Sequence, residues 1–456
     1  MHKLMLQQIN PSEKSLSEFS KLFKVVKINS LLRAANIRKI SGVKTQEIFN
    51  FIFLLAFYGK KMNRFLASKS GSDLPGKDVY YRFLNNPKYS WRRFLLQLSG
   101  KVTDTFDHLT SDKRVRVFIL DDSILSRPRT KNAELLARVF DHTSQSFIKG
   151  YTMLTLGWSD GYSFVPVDFA MLSSAKPQNR YNDISDKVDK RTNGAKRRAE
   201  AIIVKPKNVI RLIENALNTG ITADYVLMDS WFTNEPMIGS ILEKGLHSIG
   251  MVKQVKQRYN FNGQLMSLSE LRSTIKVTNN SEIIGSRYVK TKNGIPVKIV
   301  FIKNRNNKRE WLALLSTDLN LGDAEIIRIY GMRWSIEVFF KNTKSLLKLG
   351  SEFQGNCFDM LISHTTIVFT RYIVLEWERR HNQDSRSYGE LFYLLCDEIQ
   401  DIDYETAIRQ LMLFFSKLVN GFSSEFIKEL LCQARQWIAT LPLYIRTLMP
   451  NLDCEL

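Results

Sequence analysis

The chain has 456 residues, with 66 Lys and Arg against 45 Asp and Glu, giving a formal charge of +21. At 44% hydrophobic and 24% charged residues it has a globular composition, which excludes a disordered or collagen-like chain, and its length implies more than one domain. The four cysteines, at 357, 396, 432 and 454, lack CxxC spacing, and no apolar run reaches the roughly 20 residues of a bilayer span, so a disulfide scaffold, a zinc site and a membrane protein are all disfavoured.

Residues 1–110 read as a mainly helical region, with apolar residues at helical spacing in INSLLRAANIRKIS and KTQEIFNFIFLLAFYGKKMNRFL and a break at Pro75-Gly76. A basic and aromatic patch follows, Tyr80, Tyr81, Arg82, Phe83, Trp91, Arg92 and Arg93, which reads either as a surface for binding DNA ends or as aromatics of the core. The pattern then changes. RVRVFILDDS (114–123) has the apolar centre of a buried strand. KGYTMLTLGW and YSFVPVDFAML, separated by Ser159-Asp160-Gly161, read as a hairpin. A helix over 208–218, a short strand in ADYVLMDSWF, a helix over 234–244 and a strand in HSIGMVK complete a mixed α/β layer spanning 111–254. Residues 255–317 read as strands and turns, with a hairpin signal at Asn293-Gly294, and suggest a β insertion. One long helix is expected over 323–349, in a second part of the α/β region covering 318–380. Residues 381–456 read as helical, with a possible role in dimerisation.

The positive charge is unevenly distributed and points to a polyanionic partner. Residues 251–309 hold 13 Lys or Arg against two acids, Glu270 and Glu282. A second cluster comprises Lys187, Lys190, Arg191, Lys196, Arg197, Arg198, Lys205 and Lys207. Such surfaces bind phosphate backbones through counterion release.

Three acidic positions stand out. Asp121 and Asp122 end one buried strand and Asp229 ends another, and in α/β sheets functional groups gather at the carboxyl ends of strands. The third is Glu337, in YGMRWSIEVFFKNTK. At about 100° per residue, Tyr330, Arg333, Glu337, Lys341 and Lys344 share a helix face roughly 80° wide. His364, on an apolar helix, reads as a core residue.

The spacing Tyr330-x2-Arg333-x3-Glu337-x6-Lys344 resembles the Y-R-E-K signature of DDE transposases of the insertion-sequence-4 family. The resemblance extends over about 114–350. It includes Asp-Asp-Ser where that family usually has Asp-Asp-Thr, Asp229 at a strand end, and a β insertion before the Glu helix. It implies a ribonuclease-H-like α/β catalytic domain interrupted by the β insertion, with helical N- and C-terminal regions. It also implies a catalytic and metal-binding triad of Asp122, Asp229 and Glu337. Adjacent strand residues face opposite ways, so only one of Asp121 and Asp122 can serve; the strand does not choose, and the family pattern favours Asp122. The implied cofactor is Mg²⁺, two ions per site, with Mn²⁺ as a substitute. Arg333, Lys344, Tyr330 and Lys341 become candidate DNA contacts, and Trp334 and Trp311 candidates for stacking on a base near the cut. The expected function is cut-and-paste transposition on double-stranded DNA by a cytoplasmic, nucleoid-associated homodimer. A ribonuclease-H-like nuclease or resolvase, and a non-catalytic DNA-binding derivative, are the alternatives.

Overall fold

A computed structural model describes residues 18–399, apart from 68–73, 110, 112–113, 142–143, 186–187, 255–256, 277–281, 305–306, 308–309, 354, 382–384 and 398, together with Glu429, Cys432, Gln433 and Gln436. Most of the expected C-terminal helical region lies outside the described residues, although 388–397 are helical; Lys187, Lys256, Arg305, Lys308, Arg309 and Cys454 also lie outside them.

Six helices open the described chain: α1 (Glu18–Val25), α2 (Ile28–Ala34), α3 (Thr45–Leu54), α4 (Met62–Leu66), α5 (Lys77–Leu84) and α6 (Trp91–His108). Their apolar stripes turn inward, with Phe49, Phe53, Phe94 and Phe106 fully buried in one core shared with the sheet. Of the two readings of the N-terminal patch, the core one fits its aromatics. Tyr80, Phe83 and Trp91 are buried, and Arg92 is tied to Asp168 at 3.0 Å and to Glu200. A cation spent on two buried carboxylates is structural; of that patch, Arg82 and Arg93 remain exposed.

Among the described residues eleven strands form one sheet: β1 (Val117–Ser126), β2 (Ala137–Asp141), β3 (Ser146–Ser159), β4 (Phe164–Leu172), β5 (Tyr225–Met228), β6 (His247–Val252), β7 (Tyr259–Phe261), β8 (Gln264–Met266), β9 (Ile283–Thr291), β10 (Pro296–Lys303) and β11 (Trp311–Ser316). The order is β2-β3-β1-β5-β6-β11-β10-β9-β7-β8, with β4 paired to β3. β1, β5 and β6 run parallel and the other pairs are antiparallel, so the sheet is mixed. The expected hairpin is present, with Ser159 opposite Phe164 and Gly161 at φ +84 supplying the left-handed residue of its turn. β1 runs beyond the Asp pair to Ser126, and β2 was not anticipated, because its sequence ARVFD has no long apolar run.

Strands β7 to β11 continue the same sheet rather than forming a separate one, yet they bury their own core, which includes Tyr259, Val297, Phe301 and Leu315. Helices α7 (Asn193–Ala201), α8 (Lys205–Asn218) and α9 (Glu235–Leu242) link the parallel strands, and α10 (Leu268–Ser273) lies beside β8. The expected long helix is two: α11 (Asp323–Gly331) and α12 (Trp334–Ser345). Between them the backbone tightens to i→i+3 hydrogen bonds, from Arg333 to Tyr330 (3.0 Å), Ser335 to Met332 (3.2 Å) and Ile336 to Arg333 (3.2 Å).

Helix α13 (Phe358–His381) is long and apolar enough to cross a membrane, but its apolar window is entirely buried inside the protein. It packs against α6, α5, α3, α12 and β4, and its apolar residues lie on every side because neighbours surround it. Its Arg371, fully buried, pairs with Glu352 at 2.9 Å, and His364 bonds the same carboxylate at 2.8 Å. His364 is therefore a satisfied core residue.

Candidate active site

The site begins with register. Val117 to Leu120 of β1 lie beside Tyr225 to Met228 of β5 in parallel, with Leu120 opposite Met228. The next residues along the two strands are Asp121 and Asp229, so these acids stand side by side at the carboxyl ends. Alternation sends Asp122 to the other face of β1. Asp229 is held by the loop that follows it, where its Oδ1 accepts from the backbone N–H of Trp231 (2.9 Å) and of Phe232 (3.2 Å). That loop packs tightly on β6, where any Cβ at Gly250 would collide with the Thr233 side chain.

The helix corner supplies the third acid. Arg333, at the N-terminus of α12, donates to Asp121 Oδ2 at 2.7 Å and also to Glu337 Oε1. One guanidinium thus joins the strand acid to the helix acid. Burial pushes the Asp121 carboxyl up to about 6; Arg333 opposes that shift, while the charges of Asp229 and Asp122 add to it. Burial likewise pushes the Tyr330 hydroxyl up to about 12, with Arg333 opposing and Asp229 and Asp121 adding to it. Asp121, Asp229, Tyr330, Arg333 and Glu337 therefore form one electrostatically coupled group. Ser123 lies two residues beyond Asp121 on the same face, and Lys344 Nζ donates to its Oγ at 2.7 Å.

Asp122, the acid expected in the triad, has different company. It accepts from Lys205 Nζ, and that ammonium lies 4.4 Å from the centre of the Trp231 ring and 5.7 Å from that of Phe232. Trp231, 44% exposed, was not singled out in the sequence although it follows Asp229 by two residues. Lys341 is exposed one turn beyond Glu337. Trp334 is 65% exposed at the start of α12. Trp311 lies at the same end of the sheet but packs edge-on against Phe301, with ring centres 5.3 Å apart.

The basic clusters are also sorted by burial. Arg197 and Arg198 are buried and paired, Arg197 with Glu200 at 3.0 Å and Arg198 with Glu134 and Asp359 at 2.6 and 2.8 Å. Lys298 is paired with Asp323 at 2.7 Å. Lys190, Arg191, Lys196 and Lys207, and in the β7–β11 region Lys253, Arg258, Lys276, Lys290 and Lys292, are exposed.

Among the described residues, no three His, Cys, Asp or Glu side chains form a ready metal cage. The donor chemistry nonetheless suits a hard divalent cation, since Asp121, Asp229 and Glu337 offer only carboxylate oxygens. The charge that offsets two of them here is the Arg333 guanidinium, and a cation could take over that task.

Two family models match the chain. Residues 66–266 match the family described as "DDE superfamily endonuclease", and residues 183–359 match "Archaeal putative transposase ISC1217". Asp121 and Asp122 fall in the first span, Glu337 in the second, and Asp229 in both. No curated protein matches the chain. These similarities support a transposase role with nuclease activity and a divalent metal requirement, and the mixed α/β sheet with flanking helices is consistent with a DDE nuclease fold.

Proposed function

We propose that the protein is an insertion-sequence transposase of the insertion-sequence-4 type, which cuts DNA at the element's terminal inverted repeats and joins the freed ends to target DNA. The observation that carries this is the Arg333 fork joining strand-end Asp121 to helix Glu337 beside Asp229, within the stretch that the two DDE matches jointly span. The catalytic domain is read as ribonuclease-H-like, with the β7–β11 region as its insertion.

Asp121, Asp229 and Glu337 would hold Mg²⁺ or Mn²⁺, and Asp121 takes the role that the family pattern gave to Asp122. A bound pair of such ions would supply activation of the attacking oxygen and stabilisation of the leaving oxygen in an in-line displacement at phosphorus. Arg333 is the bidentate donor of the site; by turning from Glu337 toward a phosphate it would clamp the strand beside the scissile bond. Lys344 would hold a neighbouring phosphate as a point charge and would exchange its Ser123 bond for that contact. Tyr330, half-buried among the acids, would set the path of the terminal strand, and exposed Lys341 would contact the backbone further out. Trp334 is open enough to stack on a base. The remaining exposed bases would bind flanking DNA, and a homodimer would hold the two ends together in the cytoplasm, on the nucleoid. The N-terminal helices and the segment from 381 onward are the candidate regions for end binding and dimerisation.

The test uses the full chain with duplex oligonucleotides ending in the repeats that bracket its gene. Strand cleavage and joining are expected with Mg²⁺ or Mn²⁺ and not with EDTA. Tight DNA binding without cleavage under either ion would make the protein a DNA-binding derivative.

A further inference from the structure

The β2–β3 hairpin projects past the end of β1. β3 pairs with β1 as far as Gly150, opposite Ser126; Lys149 O still accepts from the Arg127 N–H at 2.8 Å, and residues 146–148 pair with β2 alone. Its open face carries an unusual set of side chains. Arg138 lies opposite Lys149 and Phe140 opposite Phe147, so alternation places all four on one face. Phe140 and Phe147 meet edge to face, ring centres 5.1 Å apart, and are 37% and 56% exposed. The Arg138 guanidinium lies 4.1 Å from the Phe147 ring centre. Lys149 Nζ is 4.8 Å from the centre of the Tyr181 ring, which is 49% exposed.

By alternation Phe147 and Lys149 lie on the same side of β3 as Met153, opposite Ser123, and Thr155, opposite Asp121; Tyr151, Met153 and Thr155 are buried, so the exposed part of this face is confined to the hairpin. Thr155 and Phe147 are eight residues apart, at most about 27 Å along a straight strand, or about eight nucleotides of a stacked DNA strand.

An exposed edge strand in a soluble protein ordinarily carries charge against unwanted pairing, and two adjacent phenylalanines work against that. Two aromatic faces beside two cations suit a nucleobase strand, whose bases offer π faces and whose phosphates offer charge. We propose that Phe140, Phe147 and Arg138, with Lys149 and Tyr181 beside them, form a platform on which unpaired bases of the DNA stack, several nucleotides from the cut. The platform rests on the reading of the protein as a DNA-cutting enzyme and adds a second binding site to it. Stacking on the rings is tolerant of base identity, because every base has a π face.

The test measures binding of the full chain, without metal, to a fluorescein-labelled 20-nucleotide oligothymidine and to a 20-base-pair duplex. Stacking contributes roughly 5- to 150-fold in affinity per base. The double variant Phe140→Ala/Phe147→Ala is expected to bind oligothymidine at least tenfold more weakly and the duplex within about threefold of the parent. Phe140→Tyr/Phe147→Tyr, which keeps the rings, should restore oligothymidine binding. Equal binding of oligothymidine by the parent and the alanine variant overturns the platform, as does an equal loss on both probes. So does unchanged DNA binding accompanied by a shift of a dimer to monomer in sedimentation, which would assign the face to a second copy of this chain. If the parent cleaves end duplexes while the alanine variant binds like it, the platform alone falls; a parent that binds neither probe removes both readings.

Discussion

Replacing Arg333 with Ala should move stability and metal affinity in opposite directions. The guanidinium, 17% exposed, donates to Asp121 at 2.7 Å and to Glu337. Each charge-assisted hydrogen bond contributes about 1.5–3 kcal/mol when sheltered, and breaking a fully buried pair costs about 3–5 kcal/mol. Glu337 keeps 35% of its side chain in solvent, so screening places the cost at the lower end, about 2 kcal/mol for the whole fork. Without divalent ions the variant should therefore melt a few degrees below the parent. With the guanidinium gone, Asp121 and Glu337 face each other and Asp229 with no compensating charge. A divalent cation then relieves more repulsion than it does in the parent. The assay is thermal unfolding with EDTA and with 10 mM Mg²⁺, backed by calorimetric titration of Mn²⁺. Arg333→Ala should gain more in melting temperature from Mg²⁺ than the parent and bind Mn²⁺ more tightly, while losing cleavage because its phosphate clamp is absent. An identical metal increment in both proteins, or weaker Mn²⁺ binding by the variant, would refute the idea that Arg333 holds the place of a cation.

Acid should destabilise the fold through α13. Burial pushes the His364 imidazole below its ordinary value of 6.5, so the unfolded chain takes up that proton first and stability falls as the pH drops below about 6.5. Burial alone would raise Glu352, but Arg371 and His364 hold it below the carboxylate range, so its contribution persists until the pH falls through that depressed value. Melting curves at pH 7 and pH 5 should differ, and His364→Gln should shrink the difference; an unchanged slope in the variant would place the acid sensitivity elsewhere. Trp311→Ala should cost about 2–4 kcal/mol by opening the core of the β7–β11 region around Phe301, whereas Trp334→Ala should leave the melting temperature unchanged and weaken DNA binding. If the two variants traded these effects, their positions in the fold would be misread. Five exposed bases in the β7–β11 region, acting as about five phosphate contacts, predict a log–log salt slope near −4.5, or roughly 500-fold weaker binding between 50 and 200 mM salt. A slope near zero would detach that region from DNA.

Strands and helices were legible where one face alone decided the pattern. β1, β5 and β6 announced themselves as short apolar runs, and α8 by its periodicity. Asp229 and Glu337 could be picked out because a strand end and a helix face are local features. Which of Asp121 and Asp122 shares a face with Asp229 was not local. It depends on the register between β1 and β5, which sets which neighbour shares a face with Asp229, and on the position of Arg333 across the sheet. The same limit explains the N-terminal patch. Arg92 looks like a DNA contact until Asp168 and Glu200, far along the chain, are folded against it. The β2–β3 hairpin was missed because ARVFD is short and half polar, and its aromatics gain meaning only as a cross-strand pair. The tight corner at Met332–Arg333 was hidden because both residues keep right-handed helical dihedrals.

The central claim is that Asp121, Asp229 and Glu337 act together at one metal-binding site, with Asp122 outside it. Its most direct test is cleavage of an end-bearing duplex by four variants, Asp121→Asn, Asp122→Asn, Asp229→Asn and Glu337→Gln, each checked for DNA binding and for Mn²⁺ binding by calorimetry. Asp121→Asn, Asp229→Asn and Glu337→Gln should keep DNA binding, lose Mn²⁺ affinity and cut at least a thousandfold more slowly, a loss equivalent to about 4 kcal/mol of transition-state stabilisation. Asp122→Asn should bind Mn²⁺ like the parent and retain most of its cleavage. An Asp122→Asn variant that neither binds Mn²⁺ nor cuts, beside an Asp121→Asn variant that does both, would contradict the account.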